Sequence, residues 1–428
     1  MTSIHIRIPT FHDGQTKIWN QRGRRNAVRC GRRFGKTKNI ITLACDGLIK
    51  GRKVGIFTPE HKQWQEPYDE IVATINPIIS GKNKNDQFIK TETGGKADFW
   101  QLNDNDLAGR GREYDLILID EAGFTKNNQM LDIWHKGIVP TMATKPNAYV
   151  WVFSTPNGHD PENFFYQVCH DPEMGFVEHH APSWINPLVD RDWIEVERGR
   201  LHPDVFRQEI QAEWVDWSGV AFFGLDKMLE NGAPVAYPQK CDRVFAVIDS
   251  AIKTGSANDG TAVTYYARNQ YAGHPLVLLD YDIVQIEGAL LDTWLTGVFQ
   301  NLEHYSRACG AREGVAGVWI EDKSSGSILL QQARKRGLMV HPIGGSWMTF
   351  GKDERAMSVS SYHYQGMCKI SQFAHDKVMV YKGTSRNHFI GQVTSFRIGD
   401  KDASKRADDL LDCHVHAVAL ALGDKNQF

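Results

Sequence analysis

The sequence has no CxxC pair, no internal repeat, no low-complexity tract and no apolar run approaching the roughly 20 residues that a membrane span needs. Its start, MTSIHIRIPT, lacks the basic-then-apolar pattern of a secretory leader, so no membrane association and a cytoplasmic location are expected. Seven cysteines stand scattered at 30, 45, 169, 241, 309, 368 and 413, which points away from a zinc ribbon or a dithiol redox pair and toward buried free thiols. A net charge of -2 gives no bulk attraction to nucleic acid. Charge is unevenly spread, however: Lys17 through Lys38 holds nine Lys or Arg residues and no acid. Such a run is either a solvated face or a phosphate-handling surface.

At 428 residues the chain exceeds the usual limit of one hydrophobic core, so two domains are expected. Hydrophobic residues at 41% and charged residues at 23% fit globular domains rather than a disordered chain. The first half alternates apolar runs with helical patterns, the signature of a parallel α/β sheet. Strands are predicted at 26–30, 54–58, 116–120 and 149–154, with helices over 36–49 and near 60–76, 127–138 and 161–170. The stretch 180–216 reads as two helices with Trp and Phe on their apolar faces. The segment 218–240, rich in Gly, Pro and Asn and without period, is the expected linker, after a first domain of about 1–230 and before a second of 240–428. The second half predicts strands at 243–249, 261–267 and 276–283, a helix near 287–302, a strand at 315–321, and helices near 325–336 and 407–422. Three strands followed by alternating helix and strand fit an RNase H-like domain.

Arg29-Cys30-Gly31-Arg32-Arg33-Phe34-Gly35-Lys36-Thr37 is a phosphate-binding loop with one departure, Cys30 where the strict pattern has Gly. It lies between a predicted strand and a predicted helix, the context that lets the N–H groups of Gly31 to Gly35 and the helix N-terminus cradle phosphates. Lys36 would reach the β and γ phosphates and Thr37 would hold Mg²⁺. The apolar run Leu116-Ile117-Leu118-Ile119 ends in Asp120 and Glu121. Asp120 suits the Mg²⁺ shell, and Glu121 suits the base that positions water. Ser154 and Thr155 follow the next strand, where they can touch both the γ-phosphate and a neighbouring loop.

Three segments resemble the ATPase motifs of the large subunits of tailed-phage terminases: Arg32-Arg33-Phe34-Gly35-Lys36-Thr37, Arg110-Gly111-Arg112-Glu113-Tyr114-Asp115 running into Asp120-Glu121-Ala122, and Ser154-Thr155-Pro156-Asn157-Gly158. The resemblance implies an N-terminal RecA-type P-loop ATPase domain with a helical lid at about 180–216 and a C-terminal RNase H-like nuclease domain. It assigns Arg32 to the γ-phosphate, with Arg33 as competitor, and Gln15 to the adenine edge. It makes Ser154 and Thr155 a coupling element.

An RNase H-like nuclease needs acids at strand ends and on one helix, where they clamp divalent ions. Asp249 ends one predicted strand, Glu321 and Asp322 end another, and Asp408 and Asp409 open the last helix. The motif match favours Glu321 over Asp322. Asp408 and Asp409 stay level as ligands, and Asp259 is an accessory candidate. Cys413-His414-Val415-His416 reads as one face of a buried helix rather than a zinc site. Lys323, Lys352, Arg355, Arg386 and Lys405 lie near these motifs as unranked candidates for DNA phosphate.

The function implied is a viral packaging motor. ATP with Mg²⁺ drives double-stranded DNA into a procapsid, and a nuclease using Mg²⁺, or Mn²⁺ as an alternative, cuts concatemers. Expected partners are DNA, the portal protein and the terminase small subunit. The chain would be a monomer in isolation and a ring on the procapsid, in the host cytoplasm and transiently at the portal. Two rivals remain: a helicase of the Asp-Glu-Ala-box type, which needs a second RecA-type domain, and a non-catalytic capsid- or portal-binding module.

Overall fold

The structure, a computed structural model, describes residues 4–103, 107–125, 127–217, 222–250, 260–285, 291–322, 325–397 and 407–423. The chain forms two compact units. One comprises Met1–Gly199 and Pro203–Asp216, the other Arg200–His202 and Trp217–Phe428. The unit boundary thus precedes the Gly- and Pro-containing segment 218–240. Among the described residues no helix is long and apolar enough to cross a membrane.

The first unit is built on eight strands: β1 Arg25–Cys30, β2 Lys53–Thr58, β3 Ile79–Asn83, β4 Phe88–Thr91, β5 Lys96–Gln101, β6 Leu116–Ile119, β7 Tyr149–Ser154 and β8 Val177–Ala181. Their order is β3-β4-β5-β2-β6-β7-β1-β8. The six from β5 to β8 run parallel, and β3 and β4 add an antiparallel edge. Side chains of a strand alternate between faces. Val28, Leu116 and Leu118 therefore join the core under the helices Lys36–Ile49 and His61–Ile75, with Ile41, Ala44, Leu48 and Trp64. Ala27, Ile117 and Ile119 join the opposite core, with Trp134, Phe164 and Phe165. Burial on both faces explains why β6 reads as an unbroken apolar run.

Parallel strands carry their C-terminal ends to one edge of the sheet, where loops can form a site. In this sheet β7 stands between β1 and β6. The Lys36 loop, the Asp120–Glu121 pair and Ser154–Thr155 therefore leave three adjacent strands at the same edge.

The second unit has β9 Arg243–Asp249, β10 Thr261–Arg268, β11 Leu276–Val284, β12 Val315–Glu321, β13 Val340–Ile343 and β14 Cys368–Ile370, in the order β13-β12-β9-β10-β11-β14. The first three pair antiparallel, and β12 and β13 add parallel to β9. This is the RNase H-like arrangement. Among the described residues there is no second RecA-type sheet, which the helicase reading needs. Val244, Ala246 and Ile248 face the helix Leu291–Ala308 through Leu295, Val298 and Leu302. The helix Asp409–Val418 packs against β9 and β10.

Some elements differ from the sequence reading. In 180–216 the helices are only Arg191–Arg200 and Pro203–Glu209, while residues 177–181 form β8. The segment 79–101, carrying Gly81, Asn83, Gly94 and Gly95, holds three strands that its turn residues disguise. The predicted helices near 127–138 and 407–422 each end in a wide turn, Trp134–Ile138 and Ala419–Gly423.

Leu302 is fully buried between helix and sheet. Leu302→Ala should destabilise the second unit by about 2–5 kcal/mol. Urea unfolding checks this, and a loss below about 1 kcal/mol would show that the site collapses around the truncation.

Candidate active sites

The loop Gly31–Gly35 leaves β1 and enters the helix Lys36–Ile49. Gly35, the residue before that helix, has φ 101°, a region that disfavours residues with a Cβ. Arg33 also sits at positive φ, 63°. Gly31 is demanded by close approach: a Cβ there would lie 2.5 Å from both the Ile210 carbonyl oxygen and Ser183 Oγ. Cys30, where the strict pattern has Gly, is fully buried, and burial pushes its thiol up to about 12.

Lys36 lies at the centre. Its Nζ is 2.8 Å from Glu121 Oε1 and donates to Thr155 Oγ1 at 3.0 Å. Burial opposes its charge, but Glu121 and then Asp120 more than offset this and hold the ammonium above its ordinary range. Asp120 is buried and accepts from the Glu121 N–H at 3.0 Å. Its burial, and next the charge of Glu121, raise its carboxyl to about 7. Glu121 itself sits at φ 48°, an uncommon left-handed conformation for Glu. Ser154 Oγ accepts from the Gly123 N–H at 3.0 Å and lies 3.5 Å from Glu121 Oε2. Thr37 is the second residue of the helix.

The loop is also tied to the segment 182–216. The Arg32 N–H donates to the Glu209 carbonyl at 2.7 Å, and Arg32 Nε pairs with Glu209 Oε2 at 2.5 Å. Ser183 Oγ donates to the Arg32 carbonyl at 2.6 Å, and Asn186 Nδ2 to the Arg33 carbonyl at 2.8 Å. The Gly158 N–H, just past Thr155, donates to Gln208 Oε1 at 2.9 Å. Gln15 is turned into the loop rather than outward. Its Nε2 donates to the Gly35 carbonyl at 3.2 Å and its Oε1 accepts from the His12 N–H at 3.0 Å.

In the second unit Ile320 pairs beside Ile248, so Glu321 and Asp249 end adjacent parallel strands. Asp409 is buried in the first turn of the C-terminal helix, and Asp412 follows on the same helical face. Burial, then the charges of Asp412, Glu321 and Asp409, push the Asp249 carboxyl well above the ordinary carboxylate range. Four carboxylates thus share one neighbourhood. Sequence reasoning missed Asp412, although its i,i+3 spacing from Asp409 was the available signal.

The other candidates are placed differently. Asp322 accepts from Ser327 Oγ at 2.6 Å on the exposed side. Asp408 precedes the helix and ion-pairs with Lys352. Lys352 also donates to Asp412 Oδ2 at 3.0 Å, and Arg355 Nη2 is 3.9 Å from Asp412 Oδ1. Both bases therefore face acids. Arg386 lies on an exposed strand. Asp259, Lys323 and Lys405 lie outside the described residues. His414 and His416 are fully buried; Tyr266 bonds His414 at 3.0 Å and Trp347 bonds His416 at 2.9 Å.

Among the described residues, no three His, Cys, Asp or Glu side chains converge closely enough to ligate one metal ion as they stand. The donor chemistry nevertheless fits a divalent cation, which would offset the burial and the neighbouring carboxylates that raise Asp249. Asp412 Oδ1 is buried without a hydrogen bond.

No protein-family model matches the chain. It is 28% identical over 196 residues to the terminase large subunit of Escherichia phage T5, covering 45% of this chain and 44% of that protein. It is 29% identical over 138 residues to the terminase large subunit of Thermus phage G20c, 28% of this chain and 27% of that protein. The matches thus span less than half the length of either relative. A solved large terminase from a thermophilic bacteriophage, in complex with ADP, shares the fold with a TM-score of 0.63 at 12% identity, over 97% of this chain and 100% of that one. The chain is therefore similar to terminase large subunits in sequence and shares the fold of a large terminase.

Asp120 offers a test in the nucleotide-free protein. Its folded pKa of about 7 lies above the unfolded value, so the native state binds the extra proton and stability falls as pH rises from about 4 to 7. Asp120→Asn should flatten this dependence and make the variant more stable than wild type at pH 8, by on the order of 2 kcal/mol. Denaturant unfolding at pH 5 and 8 measures it, and an unchanged slope counts against the burial argument.

Proposed function

We propose that this chain is a terminase large subunit, an ATP-driven DNA-packaging motor with a metal-dependent endonuclease in its second unit. The observation that carries the motor reading is the Lys36–Glu121–Thr155 cluster at the ends of three adjacent parallel strands.

On this reading the N–H groups of residues 31–37 hold the triphosphate, and Lys36 turns from Glu121 and Thr155 to the β and γ phosphates. Glu121, released from Lys36, orients and deprotonates the attacking water. Arg32 leaves Glu209 for the γ-phosphate, which loosens the tie to the lid helix Pro203–Glu209. Ser154 and Thr155 pass the change through Gly158 to Gln208. Gln15 must release Gly35 to read adenine. Thr37 and Asp120 would hold Mg²⁺, which neutralises charge developing on the phosphates.

In the second unit Asp249, Glu321, Asp409 and Asp412 would hold divalent ions that activate water and stabilise the leaving oxygen at DNA phosphate. Asp408 stands beside them, engaged by Lys352. Double-stranded DNA is the substrate, and portal protein, small subunit and further copies in a ring on the procapsid are the partners, in the host cytoplasm. The similarity to terminase large subunits supports this reading over a helicase or a passive binding module.

Lys36→Ala and Glu121→Ala should each lower DNA-stimulated ATP hydrolysis by about 10²-fold or more while the fold is retained. Undiminished turnover in either would end the motor assignment. Asp249→Asn should abolish plasmid cutting with Mn²⁺ yet leave ATP hydrolysis intact. Equal cutting by wild type and variant would reject the nuclease site.

A further inference from the structure

The second unit contains a cation of its own within the acid cluster. Lys352 opens the helix Lys352–Tyr364 and reaches the start of the C-terminal helix, where Nζ pairs with Asp408 and stands 3.0 Å from Asp412 Oδ2. The lysine side chain is only 26% exposed and that of Asp412 16%. Burial opposes the ammonium, but Asp412 and then Asp408 raise its pKa, so it stays charged at neutral pH. Arg355, one turn further on, faces Asp412 from 3.9 Å.

A second observation shows that the cluster is not closed. His416 is fully buried, and Trp347, which can only donate, bonds its Nδ1 at 2.9 Å. The proton is thereby placed on Nε2. That atom makes no hydrogen bond and points to Glu321 Oε2 from 3.8 Å. A buried N–H left at that distance from a carboxylate marks a cluster that can still contract. Asp412 is thus turned to Lys352 while Glu321 stands short of His416, and among the described residues no three ligands converge.

We propose that Lys352 is a resident counter-ion of this cluster, holding Asp408 and Asp412 while no divalent ion is present and yielding Asp412 when one binds. This deepens the reading of the acids as a metal site and rests on it. Lys352 is then a positioning residue. It keeps four carboxylates compatible with folding in the metal-free protein, and it sets the divalent concentration at which the site assembles. It does so as a competitor that is part of the chain, so the site discriminates against weakly held ions.

Thermal melts of the full chain without nucleotide, in EDTA and across a Mn²⁺ titration, test this. In EDTA Lys352→Met should melt lower than wild type, by about 3 °C or more. Mn²⁺ should then raise its melting temperature further than it raises that of wild type. The Mn²⁺ concentration for half the effect should fall about fivefold, the change one partly buried ion pair accounts for. Lys352→Arg should behave as wild type. Should the Met variant not fold, Lys352→Gln carries the same comparison. A Mn²⁺ response that is equal in wild type and Lys352→Met, and lost in Asp249→Asn, overturns the counter-ion role and leaves the metal site standing. No Mn²⁺ response in any of these proteins overturns both.

Discussion

Taking a carboxylate out of water is strongly unfavourable unless a cation or several N–H groups face it. Each unit of this chain gathers carboxylates and meets that constraint with one lysine. In the first, Lys36 faces Glu121, with Asp120 behind it. In the second, Lys352 faces Asp408 and Asp412, beside Asp249, Glu321 and Asp409. Asp120 and Asp249 both sit above the ordinary carboxylate range, so compensation in the ligand-free protein is partial. Partial compensation is what leaves such a site able to accept a further cation.

The constraint also shapes the loop and the segment that follows it. Arg32 is largely exposed, but its partner Glu209 is 8% exposed, so the pair is held from the Glu209 side. Removing Arg32 from that contact leaves a nearly buried carboxylate to find another donor, and Gln208 Nε2 is already 3.3 Å from Glu209 Oε1. Gly31 packs on the Ile210 carbonyl and Ser183, leaving no room for a side chain at that position. A displacement of the loop would therefore act on Ser183, Glu209 and Ile210, which contact it directly.

The parts of both sites that were legible in the sequence are those marked locally. Asp120 and Asp249 each close a buried apolar run, and Glu321 closes another, so period and polarity change at the functional residue itself. The loop around Lys36 is punctuated by Gly31 and Gly35. Helix 36–49 and strands 149–154, 243–249 and 315–321 were read to the residue for the same reason. What stayed hidden depends on separations that no window covers. Glu209 lies 177 residues from Arg32, and Lys352 lies 56 from Asp408. Lys352 and Arg355 read as DNA-facing bases because a sequence shows a charge but not its partner. Gln15 was assigned to the adenine edge, and its amide is here engaged by His12 and the Gly35 carbonyl, contacts that no sequence window shows.

The two lysines differ in where they come from, and that difference decides how each site responds. Lys36 belongs to the loop proposed to receive phosphate, which would make the arriving ligand and the counter-ion mechanically one element. On the proposed reading, a triphosphate would draw Lys36 away from Glu121 in the act of binding and so free the base only when its substrate is present. Lys352 belongs to a separate helix, and the strand-borne acids Asp249 and Glu321 are fixed by the parallel pairing of β9 and β12. Asp409 and Asp412 instead ride on a helix whose position follows from packing against β9 and β10. On the proposed metal-site reading, a divalent ion would displace a lysine and draw helix-borne acids toward the sheet edge. On the proposed function, the chemistry of both units would be gated by exchange of one countercharge for another, which avoids leaving a buried acid bare.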